Sequence, residues 1–287
     1  MRVIAVLIAS SLIAVPALAD DFDASAHLFG DLGRAALQEK GVTINLQETS
    51  ELFAVPSGGL RSGVVYDGQT LASVSVDTGK LGLWEGGTFM VSAYQIHGRG
   101  PSRNLVGNLQ TVSGIEATRA TRLDDLFYEQ TLLDGKAALR VGQFAADEEF
   151  ITNQYSAKFI NSDFGFPALP ANDLPSGGPA YPLATPGVRI KLQPTSSFTV
   201  LAAVFNGDPA GPTKGDPQEL NASGTSFRTQ DGTFSLIEAQ YTTDPTDAAQ
   251  PAPLASTYRL GAWLHSQSFS KALLPEYLST ILLFKLR

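Results

Sequence analysis

The chain has 287 residues, 43% hydrophobic and 17% charged, with 20 Lys and Arg against 28 Asp and Glu and no cysteine. The net charge of −8 disfavours nucleic-acid partners, which need a basic footprint. The missing thiols exclude cysteine catalysis, cysteine metal sites and disulfides, so core packing or a closed hydrogen-bonded sheet must hold the fold.

Residues 1–19 read as a secretory signal. Arg2 supplies a basic start, Val3 to Val15 an apolar run, and Ala17-Leu18-Ala19 a small-residue cleavage site before Asp20. A membrane anchor fits less well, because the run is short and ends at Pro16. Beyond it no apolar stretch is long enough for a transmembrane helix. That excludes a helical transporter but not a barrel, whose alternating strands leave a weak hydropathy signal. Residues 20–41 are expected to form an N-terminal periplasmic helical segment. His27 to Lys40 carries its apolar face on Leu28, Leu32, Ala35 and Ala36, and Gly41 is placed to cap it.

From Val42 the period changes to two. Strands are expected over Val42–Thr49, Val64–Val76, Gly87–His97, Asp125–Leu133, Lys136–Phe144, Gly187–Gln193, Ser197–Phe205, Thr233–Tyr241 and Thr257–His265. Asp134-Gly135 between two of them is a strong hairpin signal. Strands of roughly nine to eleven residues suit a tilted bilayer crossing. Val188, Ile190 and Leu192 alternate with Arg189 and Lys191, and Leu139 and Val141 alternate with Ala138 and Arg140. Alternation alone fits a soluble β-sandwich, with its polar face in bulk water, as well as a porin, with its polar face in the lumen. Short turns interleaved with long Pro/Gly-rich loops fit outer-membrane barrels.

Several segments carry a resemblance. Asp163-Phe164-Gly165-Phe166-Pro167, Pro175-Ser176-Gly177-Gly178-Pro179-Ala180-Tyr181-Pro182 and Phe205-Asn206-Gly207-Asp208-Pro209 stand in the centre of the chain. Trp84-Glu85-Gly86-Gly87-Thr88-Phe89, Tyr128-Glu129-Gln130 and Leu139-Arg140-Val141-Gly142-Gln143 precede them. In number and order these resemble the OprB-like carbohydrate-selective porins of bacterial outer membranes, over Asp31 to His265. The resemblance implies an all-β, antiparallel transmembrane barrel of about sixteen strands, of which about nine are visible here, with a short N-terminal helix. It implies passive, sugar-preferring diffusion, with mono- or oligosaccharides as permeants and outer-membrane lipid and lipopolysaccharide around the wall. A homo-oligomer is expected if the barrel completes, with no cofactor, no metal and no nucleic acid. Residues 42–265 would be barrel and 266–287 a divergent tail, as in a truncated or frameshifted product. The alternative from another class is a secreted or periplasmic β-sandwich that binds sugar.

A sugar pore needs hydroxyl-binding side chains, charges that set a lumen field, and aromatic faces. Arg61, Arg99, Arg122, Glu129, Arg140, Arg189 and Lys191 are the pore-lining candidates, with His97 and Tyr128 near them in sequence. Ordinary solvated charge is the plainer reading of each, and strand phase supports the lumen for Arg140, Arg189 and Lys191. Phe89, Tyr94, Phe144 and Trp263 fit interfacial girdles and core packing equally. His27, His97 and His265 lie far apart, with no metal-binding His pair and no Gly-x-Ser-x-Gly elbow, so no enzyme is expected. Asp147-Glu148-Glu149 reads as a solvated acidic loop, and Asn206-Gly207-Asp208 lacks calcium-loop spacing.

Overall fold

The computed structural model describes residues 33–267 and 283–285, apart from 109, 153–158, 162–163, 167–169 and 244–255. Helix α1 (Arg34–Glu39) ends where Gly41 takes φ 88 and donates its N–H to Gln38 O at 3.0 Å. Gly33 and Lys40 of the expected His27–Lys40 helix flank α1 as its caps, and residues 27–32, like the signal, lie outside the described residues.

Among the described residues ten strands follow, each hydrogen-bonded antiparallel to the next in chain order. They are β1 (Val42–Val55), β2 (Gly63–Asp77), β3 (Gly87–Gly98), β4 (Ala120–Leu132), β5 (Ala137–Phe144), β6 (Thr185–Thr195), β7 (Phe198–Asn206), β8 (Thr233–Thr242), β9 (Thr257–His265) and β10 (Leu283–Lys285). The nine expected strands are present. The three residues of β10 are too few to declare a period. β4 starts five residues early because its alternation is broken: the β3 pairing shifts register between Val91 and Ala93, leaving Asp124 and Asp125 in a bulge opposite Ser92. Bulges hide strands from a period-two search.

Turns and loops alternate between the two ends. At one end Leu133, Asp134 and Gly135 close β4 onto β5 with positive φ, and Lys136 N–H bonds Leu133 O at 3.1 Å. Left-handed backbone at consecutive positions favours the Asp-Gly pair. At the other end lie the long β3–β4, β5–β6 and β7–β8 connections. No described helix is long and apolar enough to cross a membrane.

The faces divide by parity. Leu46, Leu52, Val64, Leu126, Val141, Val188, Ile190, Val204, Ile237 and Leu264 are exposed on the outward face, Leu52 at 71%. A soluble sandwich leaves its polar face outside; here the exposed face is the apolar one. Near the turn end the outward aromatics Trp84, Phe89, Tyr128, Phe198, Tyr241 and Tyr258 form a belt. Trp84 Nε1 donates to Tyr128 OH at 2.7 Å, and the Phe89 and Tyr128 rings lie 4.8 Å apart. Of the four aromatics that fit girdles and core packing equally, only Phe89 takes a belt position. Tyr94, Phe144 and Trp263 point inward; Phe144 and Trp263 are 1% and 5% exposed and share parity with Arg140 and Arg259.

One polar group breaks the apolar band. Glu48, Ser50, Tyr66, Thr70, Gln95 and His97 share the outward face of β1–β3. They satisfy one another: Ser50 Oγ donates to Glu48 at 2.9 Å, Tyr66 OH lies 3.0 Å from His97 Nε2, and Thr70 also bonds Glu48.

The inward face of β4–β9 carries the core. Phe127, Phe144, Phe205, Phe234, Leu236 and Trp263 project from strands, and Phe150, Phe166, Leu174 and Ala180 come back from the β5–β6 connection to meet them. At about 1.5–3 kcal/mol for each large side chain buried, this apolar contact holds Phe150, Phe166, Leu174 and Ala180 inward rather than letting them stand in solvent.

Candidate functional site

Beside that core, strand parity places three of the predicted charges together. Glu129 (β4), Arg140 (β5) and Arg189 (β6) are register partners in one rung of the inner face, across three adjacent strands. Arg140 Nε donates to Glu129 Oε2 at 2.9 Å, and Arg189 NH2 donates to the same oxygen at 2.7 Å. Two arginines side by side would repel; the shared carboxylate holds them.

The infolded connection completes the group. Glu149 accepts from Arg189 Nε and NH2 at 2.5 and 2.6 Å, a bidentate pair. Glu148 lies 3.5 Å from Arg140 NH1. The Arg140 guanidinium also sits 3.9 Å above the Phe127 ring, a cation–π contact. Arg189 is 1% exposed, and its NH1 has no partner. On the next wall, Glu238 Oε1 accepts from Arg259 NH1 at 2.8 Å while Oε2 accepts from Ile151 N at 2.7 Å. Just outside the strands, burial pushes the Asp147 carboxyl up to about 6, opposed by its bond from Tyr181 N at 3.0 Å.

The remaining predicted residues go elsewhere. Arg122 shares the inward parity of Tyr94 yet is 1% exposed and donates to the carbonyls of Gln218, Pro182 and Asn221 at 3.1–3.5 Å. It fastens loops and meets no carboxylate. Arg61 donates through Nε to Asn104 O at 2.9 Å, and Arg99 is exposed just past β3; both lie at the long-loop end. Lys191 is half-buried on the inner face, opposite Leu201 and Ala138. Tyr128 faces outward in the aromatic belt, as does His97 in the polar group.

Sequence reasoning missed Glu149, Glu238, Arg259 and the aspartates of the β4 bulge. Glu238 and Arg259 share inward parity with their neighbours, a legible signal. The reading of Asp147-Glu148-Glu149 as a solvated loop is corrected: Glu149 is drawn in by Arg189, and a loop residue has no parity to announce that. Asn206-Gly207-Asp208 is a self-satisfied lock. Asp208 Oδ1 accepts from Ser176 Oγ at 2.6 Å and from Gly211 N at 3.0 Å, and Asn206 donates to Asp231 Oδ2 at 3.3 Å. Asp231 is held below the usual carboxylate range by its bonds from Arg228.

The arrangement offers ordered cationic donors and anionic acceptors of both signs on an inner wall. Such a surface can exchange hydrogen bonds with neutral polyols, whose hydroxyls are donors and acceptors at once.

No curated protein matches the chain. Among solved structures it is similar to the high-pH structure of Pseudomonas putida OprB, at 22% identity and TM-score 0.66, covering 83% of this chain and 56% of that one. It is also similar to the low-pH structure of P. putida OprB, at 19% identity and TM-score 0.49, covering 82% and 60%. The chain thus spans little more than half the length of the protein whose fold it shares. Residues 61–277, well over half of the chain and reaching past β9, match the family described as "Carbohydrate-selective porin, OprB family". Strand meander, outward apolar face and this match together make the chain a member of the carbohydrate-selective porin, OprB family.

Proposed function

We propose that the chain forms the wall of an outer-membrane channel for passive diffusion of mono- or oligosaccharides. The observation that carries this reading is the inward network of Arg140, Arg189, Glu129 and Glu149, set back to back with an apolar outer face. Paired charges of both signs bind hydroxyls without trapping an ion of either sign, which suits weak, reversible contact with a neutral solute. Of the predicted candidates, Glu129, Arg140, Arg189 and Lys191 are our choice for the lumen wall; Arg61, Arg99 and Arg122 are set aside. No covalent chemistry or cofactor is called for. Lipid and lipopolysaccharide surround the apolar band, export uses residues 1–19, and any homo-oligomer packs through the outward face.

Liposome swelling tests the reading. The chain from Asp20 onward, reconstituted into vesicles, is expected to admit glucose faster than a trisaccharide, with Arg140→Ala changing the sugar rate. Vesicles that admit ions but no sugar would overturn it.

A further inference from the structure

We propose that Asp124, Asp125 and Glu148 bind one hard divalent cation of the calcium type, which pins the β5–β6 connection to the wall of the sheet. The bulge in β4 brings two consecutive carboxylates to one place, and Glu148 comes to them from the connection. One oxygen from each of the three lies within 4.8 Å of the others. Oxygens that share a calcium ion at about 2.3–2.6 Å stand up to about 5 Å apart, so a single ion can reach all three. An all-oxygen donor set selects hard cations over zinc or copper.

A second observation points to a ligand. Asp125 is 6% exposed, and its Oδ1 is buried without a hydrogen-bond partner. A buried carboxylate oxygen normally has a donor or a metal. Asp124, 3% exposed, accepts from Ser92 Oγ at 3.1 Å. The nearby guanidiniums make their shorter contacts with other groups. Arg189 is taken by Glu129 and Glu149, and Arg140 by Glu129 and the Phe127 ring, with Glu148 only at 3.5 Å. Among the described residues no Lys or Arg forms an ion pair with either aspartate. Of the three carboxylates only Glu148 has an arginine beside it, Arg140 at 3.5 Å, and a divalent cation supplies the partner that the two aspartates lack. The proposal goes beyond sugar diffusion and does not depend on which solute crosses.

The test is terbium luminescence on the chain from Asp20 onward, refolded in detergent micelles, stripped with chelator and checked for sheet by far-UV circular dichroism. Calcium is then added as competitor. The expected result is one saturable site per chain, emptied by calcium. Affinity should fall at least about tenfold in Asp125→Asn and in Glu148→Gln, since each removes one of three carboxylates. Asp134→Asn, in the exposed β4–β5 turn, should bind as the parent does. Glu148 lies on a connection rather than a strand, so its variant keeps the test open if Asp125→Asn fails to fold. Absence of saturable binding in the folded parent overturns the site. So does equal affinity in Glu148→Gln and Asp134→Asn, or an equal loss in both.

Discussion

Arg189 grips Glu149 through two hydrogen bonds, Nε to Oε2 at 2.5 Å and NH2 to Oε1 at 2.6 Å, although forty residues of chain separate them. The pair joins a strand of the wall to the connection that folds over it. It sits beside the apolar core, where Phe150, one residue beyond Glu149, is 1% exposed. Charge and apolar packing therefore hold the same stretch of backbone in place.

Removing that grip leaves Glu129 and Glu149 to share Arg140 alone, at 2.9 and 3.5 Å. Breaking one partner out of a fully buried ion pair costs about 3–5 kcal/mol, and the loss here should fall below that because Arg140 still faces both carboxylates. Arg189→Gln should lower the denaturant midpoint of the refolded chain. In bilayers with a salt gradient it should shift the reversal potential toward cation preference. An unchanged reversal potential would place Arg189 away from the conducting path.

The core under the connection should be as demanding as that of a soluble protein. Phe144, 1% exposed, packs edge-on against Phe205 at 4.9 Å and Phe127 at 6.1 Å. Phe144→Ala should destabilise by about 3–5 kcal/mol, the usual loss for a buried phenylalanine. A urea titration in micelles followed by Trp fluorescence measures it, with Trp263 in the same cluster as the probe.

The two parities of β6 should respond oppositely to charge. Ile190→Arg puts a cation on the outward face and should cost about 2–4 kcal/mol if it lies near the bilayer midplane. Lys191→Gln, one residue away on the inner face, should leave stability near the parent and act on conductance instead. Unfolding from vesicles reads the first, and single-channel current the second.

The lock in the β7–β8 loop should open in acid. Arg228 holds the Asp231 carboxyl below its ordinary range. A depressed folded value means stability that is present above the unfolded value, near 3.9, and lost as pH falls below it. Protection factors of amides over residues 207–232 should therefore be lower at pH 3 than at pH 6. Arg228→Ala should flatten that difference.

From sequence alone the number of strands among the described residues to within one, the Asp134-Gly135 turn and the inward phase of Arg140, Arg189 and Lys191 were readable. The reason is physical: a wall between lipid and a polar interior forces side chains to alternate, and that period is written residue by residue. The inward turn of Phe144 and Trp263 was readable on the same ground, from parity with Arg140 and Arg259. Tertiary structure alone decided the rest. A bulge at Asp124–Asp125 erased the period where β4 begins. Parity names a face but not a depth, so Arg122, inward by phase, could be told from a lumen residue only by the loop carbonyls around it. Glu149 lies on a connection with no period at all. Its role exists because phenylalanines from distant strands bury that connection and bring its carboxylate to Arg189.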